Sequence, residues 1–197
     1  MKERRYKEEY RLKTQLDVKT GKPKQIPVYV GDYYRLGAGT DRRAVAVRCL
    51  PYLAAFVLSW GAYLMKNSPS SFCIYVLPFA CCAAAPAMYA VLGAVSALRA
   101  PERMTRVQKE TGIARLMRSL LGCCICVSLA CLGDMIFMIR NGFAGEWFAA
   151  ALLLLAAAAG YMGFRAAKAI HNAMTTEPGE AAREAAETAQ KPQKDRT

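Results

Sequence analysis

Residues 72–98 read FCIYVLPFACCAAAPAMYAVLGAVSAL, with no Asp, Glu, Lys, Arg, His, Asn or Gln among them. An uncharged apolar run of about 18 residues or more is long enough to cross a hydrocarbon core about 30 Å thick. It is also too long for the buried helix of a small water-soluble domain. The stretch therefore predicts a transmembrane helix. Straight, at about 1.5 Å per residue, it would extend roughly 40 Å, so it must tilt, bend or protrude. Pro78 and Pro86 predict a bend.

Outward from this run, the 197-residue chain carries further apolar blocks at about 44–65, 119–139 and 147–164. Charge falls between them, so a mean hydropathy of only +0.11 conceals strong segregation. That pattern belongs to a multi-pass membrane protein. No cleavable secretory leader is read ahead of the first block, because more than forty polar and basic residues precede it. The fold expected is an all-α membrane protein with four transmembrane helices arranged as two antiparallel hairpins. Three regions follow: a basic segment over 1–43, a four-span bundle over 44–169 with a polar loop at 99–118, and a disordered tail over 170–197.

Orientation is read from Lys and Arg. Of 27 such residues, segment 1–43 carries 12, loop 99–118 carries 6 and residues 165–197 carry 6, while the loops at 66–71 and 140–146 hold only Lys66 and Arg140. Short flanks rich in these residues stay inside, which predicts a multi-pass protein of the cell membrane with both termini cytoplasmic. The net charge of +12 flanks the spans, so attraction to anionic lipid headgroups accounts for it and nucleic-acid binding is not expected.

The basic segment has its own texture. Near-alternating residues on either side of Lys19-Thr20-Gly21-Lys22-Pro23 predict a cytoplasmic β-hairpin with strands near 10–17 and 25–30. Pro27 removes a ladder donor from the second strand, which must then lie at an edge. Tyr29, Tyr33 and Tyr34 beside Arg35 are read as headgroup-zone anchors, and Trp60 and Tyr63 as an aromatic belt at the outer end of the first span. In loop 99–118, Met104, Val107, Ile113, Leu116 and Met117 form a rough helical stripe opposite arginines. The loop is read as an amphipathic helix on the inner leaflet, with a plain extension of the third span as the alternative.

Candidate site residues are few. Asp134 is the one acidic residue inside a predicted span. A carboxylate there requires a protein partner or a wet cavity, and Lys66 or Arg140 lies within reach of its helix end. Cys123 and Cys126 share a helix face, with Cys81 and Cys82 at similar depth, forming a possible thiol cluster; small-residue packing explains these cysteines as well. Arg48, Arg99, Arg103, Arg106, Arg115 and Arg118 are assigned to lipid headgroups. Small pairs four residues apart, such as Ala83 with Ala87, Ala90 with Ala94 and Ala156 with Gly160, predict a tightly packed bundle. His171 has no companions that would make it a metal ligand, and no catalytic residue, metal or cofactor is expected.

These features favour a non-catalytic subunit, scaffold or adaptor that meets a protein partner or a second copy of itself. The alternatives are a small oligomeric transporter or channel using Asp134, and a membrane thiol-redox or metal-handling protein using the span cysteines.

Overall fold

The computed structural model describes residues 9–16, 23–36, 42–66, 68–142 and 146–179. Four helical segments in it are long and apolar enough to cross a membrane. The first, α1, runs Arg42–Met65. A 3₁₀ turn at Pro69–Phe72 leads into the short α2, Leu77–Cys82, and then α3, Ala84–Arg99. The continuous run α4 covers Arg106–Asn141 and α5 covers Trp147–Asn172.

Residues 72–98 thus bend as Pro78 and Pro86 predict. The interruption falls at Ala83, one turn before Pro86, because a proline at 86 gives Cys82 no N–H to accept from. The indole N–H of Trp60 donates to the Ala80 carbonyl at 2.9 Å, tying the bent segment to α1. Trp60 also stacks on Phe56, and Tyr63 is fully buried. Tyr63 is thus turned into the bundle and Trp60 is half-buried against it.

Small residues set the helix contacts. Helix α5 lies along both α1 and α4, and α3 lies along α4. Ala156, Ala159, Gly160 and Gly163 all face this interior; a Cβ on Gly163 would sit 3.3 Å from both Tyr52 and Leu120. The approach of α3 to α4 is closer still. A Cβ on Gly93 would lie 2.7 Å from the Leu116 backbone nitrogen, so only glycine fits there. Outward surfaces are apolar, with Val47, Leu58, Met88 and Ile139 exposed, which suits lipid rather than water.

The amino-terminal hairpin forms as the alternation predicts. Strand β1, Tyr10–Leu16, pairs antiparallel with β2, Pro23–Tyr29, in a two-stranded sheet where each strand is an edge and Pro27 costs no inner ladder bond. A second sheet was not legible in the sequence. Strand β3, Tyr33–Arg35, is central between β4, Arg103–Met104, and β5, Thr175–Glu177. Part of the tail read as disordered is therefore ordered: 170–172 continue α5 and 175–177 form β5. The pairing partner that orders β5 lies about 140 residues away, out of reach of local pattern. Residues 180–197 lie outside the described ones.

The loop at 99–118 differs from a free surface helix. Thr105 and Gln108 form a capping box, and from Arg106 the helix passes through a π turn at Glu110–Ala114 directly into the rest of α4. Gly112 rests on the Ala97 backbone and Ile113 and Leu116 are buried, so this stretch packs on α3 as the extension of the third span.

Tyr29 joins the hairpin to that helix start. It is buried, its hydroxyl lies 3.1 Å from Glu9 Oε2 and 3.0 Å from the Asp32 carbonyl, and it accepts from the Arg106 N–H at 3.3 Å. Tyr10 and Tyr33 meet its ring edge-on. This is an interior junction rather than a headgroup anchor. Burial pushes the Tyr29 phenol from 10.0 up to about 12, with the Arg106 N–H opposing and the Glu9 carboxylate adding to the rise.

Two outcomes follow from this packing. Gly93→Val should destabilise the bundle by about 2 kcal/mol or more through overpacking, read as a lowered melting temperature in detergent. Tyr29→Phe should cost about 1 kcal/mol at neutral pH, read as faster amide exchange in β1 and β2. Because the folded phenol holds its proton more tightly than the unfolded one, the stabilisation from the neutral phenol is complete below pH 10 and disappears as pH rises toward about 12. The melting difference between wild type and Tyr29→Phe should shrink over that window.

Candidate functional site

The sheet gathers the start of α1, the end of α3, the start of α4 and the end of α5 at one end of the bundle. At the opposite end, polar side chains collect in the interior. Asp134, on α4 two turns before its end, is fully buried, and neither of its carboxylate oxygens has a hydrogen-bond partner. Its electrostatic neighbours are Ser70, Glu146 and Lys66. Glu146 is also buried; it stands immediately before α5, where the helix dipole favours a negative charge. Its Oε2 accepts from the hydroxyls of Ser68 and of Ser70, the latter at 2.9 Å, and these two hydroxyls lie 3.0 Å apart.

Tyr63 of α1 closes the group. Its hydroxyl is buried without a partner, as is that of Ser71, and its polar neighbours are Ser71, Ser70, Asp134 and Glu146. Glycine makes the enclosure possible: a Cβ on Gly133 would lie 2.7 Å from the Tyr75 carbonyl oxygen, so the 75–76 turn lies directly on α4 beside Asp134. Two carboxylates and several hydroxyls thus share one buried polar cluster. Four buried polar oxygens in it have no partner, an arrangement that costs stability unless something supplies positive charge or donors.

The sequence reading found Asp134 and Lys66 but not their company. The structure brings these two near each other, with the Lys66 ammonium 5.0 Å above the Phe148 ring. Arg140 is exposed, near Tyr75 rather than Asp134. Asp134 lies wholly inside the bundle. Glu146 and Ser70 were missed because both fall in short loops read only as turns. Their one local signal is an acidic residue directly before an apolar helix facing a Ser-rich turn.

The thiols divide. Cys123 is buried in the apolar core, Cys126 is half-buried with Cys123 and Cys82 among its electrostatic neighbours, and Cys81 and Cys82 are exposed on the bundle surface. All eight cysteines are free, and no group of three His, Cys, Asp or Glu placed to hold a metal occurs among the described residues.

The arginines assigned to headgroups divide as well. Arg48, Arg99 and Arg118 are exposed, and Arg48 borders a groove of about 450 Å³ between α1 and α5, lined also by Val47, Pro51, Tyr52 and Ala166. Arg103 and Arg35 both reach Glu177, at 3.4 and 3.5 Å, across the three strands of the sheet. Arg106 meets Glu9 at 3.1 Å and Glu110 at 3.5 Å. The Arg115 guanidinium lies 6.0 Å from the Tyr89 ring and Lys109 lies 3.9 Å from that of Tyr34. Exposed pairs of this kind contribute little individually, about 0–1 kcal/mol; here they align strands from three parts of the chain.

The class this defines is a mostly helical protein with four helices long and apolar enough to cross a membrane and small strand sheets at one end. The chain matches no protein-family model, no curated protein and no solved structure.

Glu146→Ala should leave the hydroxyls of Ser68 and Ser70 without their acceptor and lower stability by about 1–3 kcal/mol, whereas Glu146→Gln keeps an acceptor and should lose less. Comparing the melting temperatures of the two variants checks this.

Proposed function

We propose that the protein is a non-catalytic component of the cell membrane, a subunit, scaffold or adaptor whose sheet end faces the cytoplasm. The four long helices cross the bilayer as two antiparallel hairpins, α1 with α2–α3 and α4 with α5, and both termini are inside. The sheet end then forms a basic platform on the acidic inner leaflet, with Arg48, Arg99 and Arg118 directed to lipid headgroups.

The observation that carries this reading is the β4–β3–β5 sheet. Segments 33–35, 103–104 and 175–177 come from before the first span, between the second and third, and after the fourth, and they unite into one surface bearing Arg35, Arg103 and Glu177. Membrane anchors need no such structure. A surface assembled from all the segments at one end is what a docking partner, whether another protein or a second copy, can recognise as a unit. The Lys- and Arg-rich flanks support the orientation, since 24 of the 27 such residues fall in the segments assigned to that side.

Purification in mild detergent from native membranes, with cross-linking, tests the reading. A stoichiometric partner recovered with the wild-type chain should be lost on charge reversal of Arg99, Arg103, Arg106, Arg115 and Arg118. It should be retained in Asp134→Asn and in Cys123→Ala with Cys126→Ala. The opposite pattern removes the scaffold reading in favour of a function at the carboxylate or the thiols.

A further inference from the structure

We infer that the buried cluster of Asp134, Glu146, Ser70, Ser71 and Tyr63 binds a single hard monovalent cation of the Na⁺ class, entering from the end of the bundle opposite the sheet. This site is independent of the scaffold reading.

The donor chemistry selects the ion. The unpartnered buried atoms there are all oxygen: the two Asp134 oxygens and the Tyr63 and Ser71 hydroxyls, with Ser70 beside both Asp134 and Glu146. Oxygen sets of this kind suit hard cations rather than soft metals. Asp134 is fully buried and Glu146 is 6% exposed, so neither charge is relieved by bulk water. Two like charges at close quarters in a low-dielectric interior require neutralisation.

Charge counting then sets the valence. Among the described residues, the ionisable groups of the cluster are Asp134 and Cys131 from α4, Glu146 from the start of α5, Tyr63 from α1 and Lys66 just beyond it. With the thiol and phenol neutral, two carboxylates and one ammonium leave one negative charge. One monovalent cation cancels it, whereas a divalent ion would leave an excess of positive charge in an enclosed space.

The same geometry argues against a conduction path. Toward the sheet end the next layers are Phe56, Ala83, Val127 and Leu153, all buried and apolar, and the Ser59 hydroxyl is turned onto the Ala55 and Phe56 carbonyls. An ion held in the cluster meets no onward ligand among the described residues. It is held, and it fastens the Pro69–Phe72 turn and the start of α5 onto α4.

Melting of the purified full chain in detergent at neutral pH, with NaCl replaced by choline chloride at equal ionic strength, tests this. Na⁺ should raise the wild-type melting temperature saturably, by about 3 °C or more near saturation. Asp134→Asn, confirmed folded by its helical circular dichroism and elution, should lose the response, and Tyr63→Phe should weaken it. Equal melting in Na⁺ and choline, or an undiminished response in Asp134→Asn, overturns the proposal. So does stabilisation by acidification without any response to Na⁺, which would identify a shared proton as the neutralising charge. Equilibrium dialysis of the wild type against radioactive Na⁺ provides a second readout that needs no variant: about one ion bound per chain supports the site, and none refutes it.

Discussion

The close approach of α3 to α4 is the contact on which the rest of the structure depends. Helices that lie in an apolar solvent gain little from hiding hydrophobic surface, so their association rests on dispersion between backbones that small residues allow to meet. Gly93 against the Leu116 backbone and Gly112 against that of Ala97 provide that meeting over more than a helical turn. It seats the first turns of α4 inside the bundle, with Ile113 and Leu116 buried, and so fixes where Thr105 caps the helix and where β4 must lie. The sheet and the Tyr29 junction are built on that fixed point. Large apolar side chains are left to face outward.

The two ends of the bundle handle charge in opposite ways. At the sheet end, acids and bases meet in exposed pairs, Glu177 with Arg35 and Arg103 and Glu9 with Arg106, where water bears most of the solvation and each pair is worth little. At the other end, Asp134 and Glu146 are withdrawn from water, and serine and tyrosine hydroxyls surround them. The first arrangement is tolerant of substitution and suits recognition. The second is costly to maintain, and a buried carboxylate with both oxygens unpartnered is the feature of this chain that packing alone explains least.

Much of the architecture was legible in the sequence because its signals are long or strictly local. Four apolar runs, a period-two hairpin around Gly21, prolines before a bend and small pairs four residues apart each act over a few turns of chain. What escaped has the opposite character. Strand β5 in the tail, the burial of Tyr63 and the meeting of Glu146 with Ser68 and Ser70 depend on segments separated by roughly 75 to 140 positions. Nothing local distinguishes Glu146 from an ordinary turn acid or Thr175–Glu177 from a polar tail.

By itself the sequence determined the solvent each segment tolerates, the number of helices long enough to span, and the presence of one acid within a span, since these follow from composition along contiguous stretches. Only the tertiary structure decided that residues 72–98 break at Ala83, that α4 begins inside the bundle, and that Asp134 shares a buried polar cluster with a second carboxylate. The physical reason is that desolvation and electrostatic pairing depend on distance in space. In this chain the decisive distances are set by glycines that let backbones touch, an effect that a list of residues does not display.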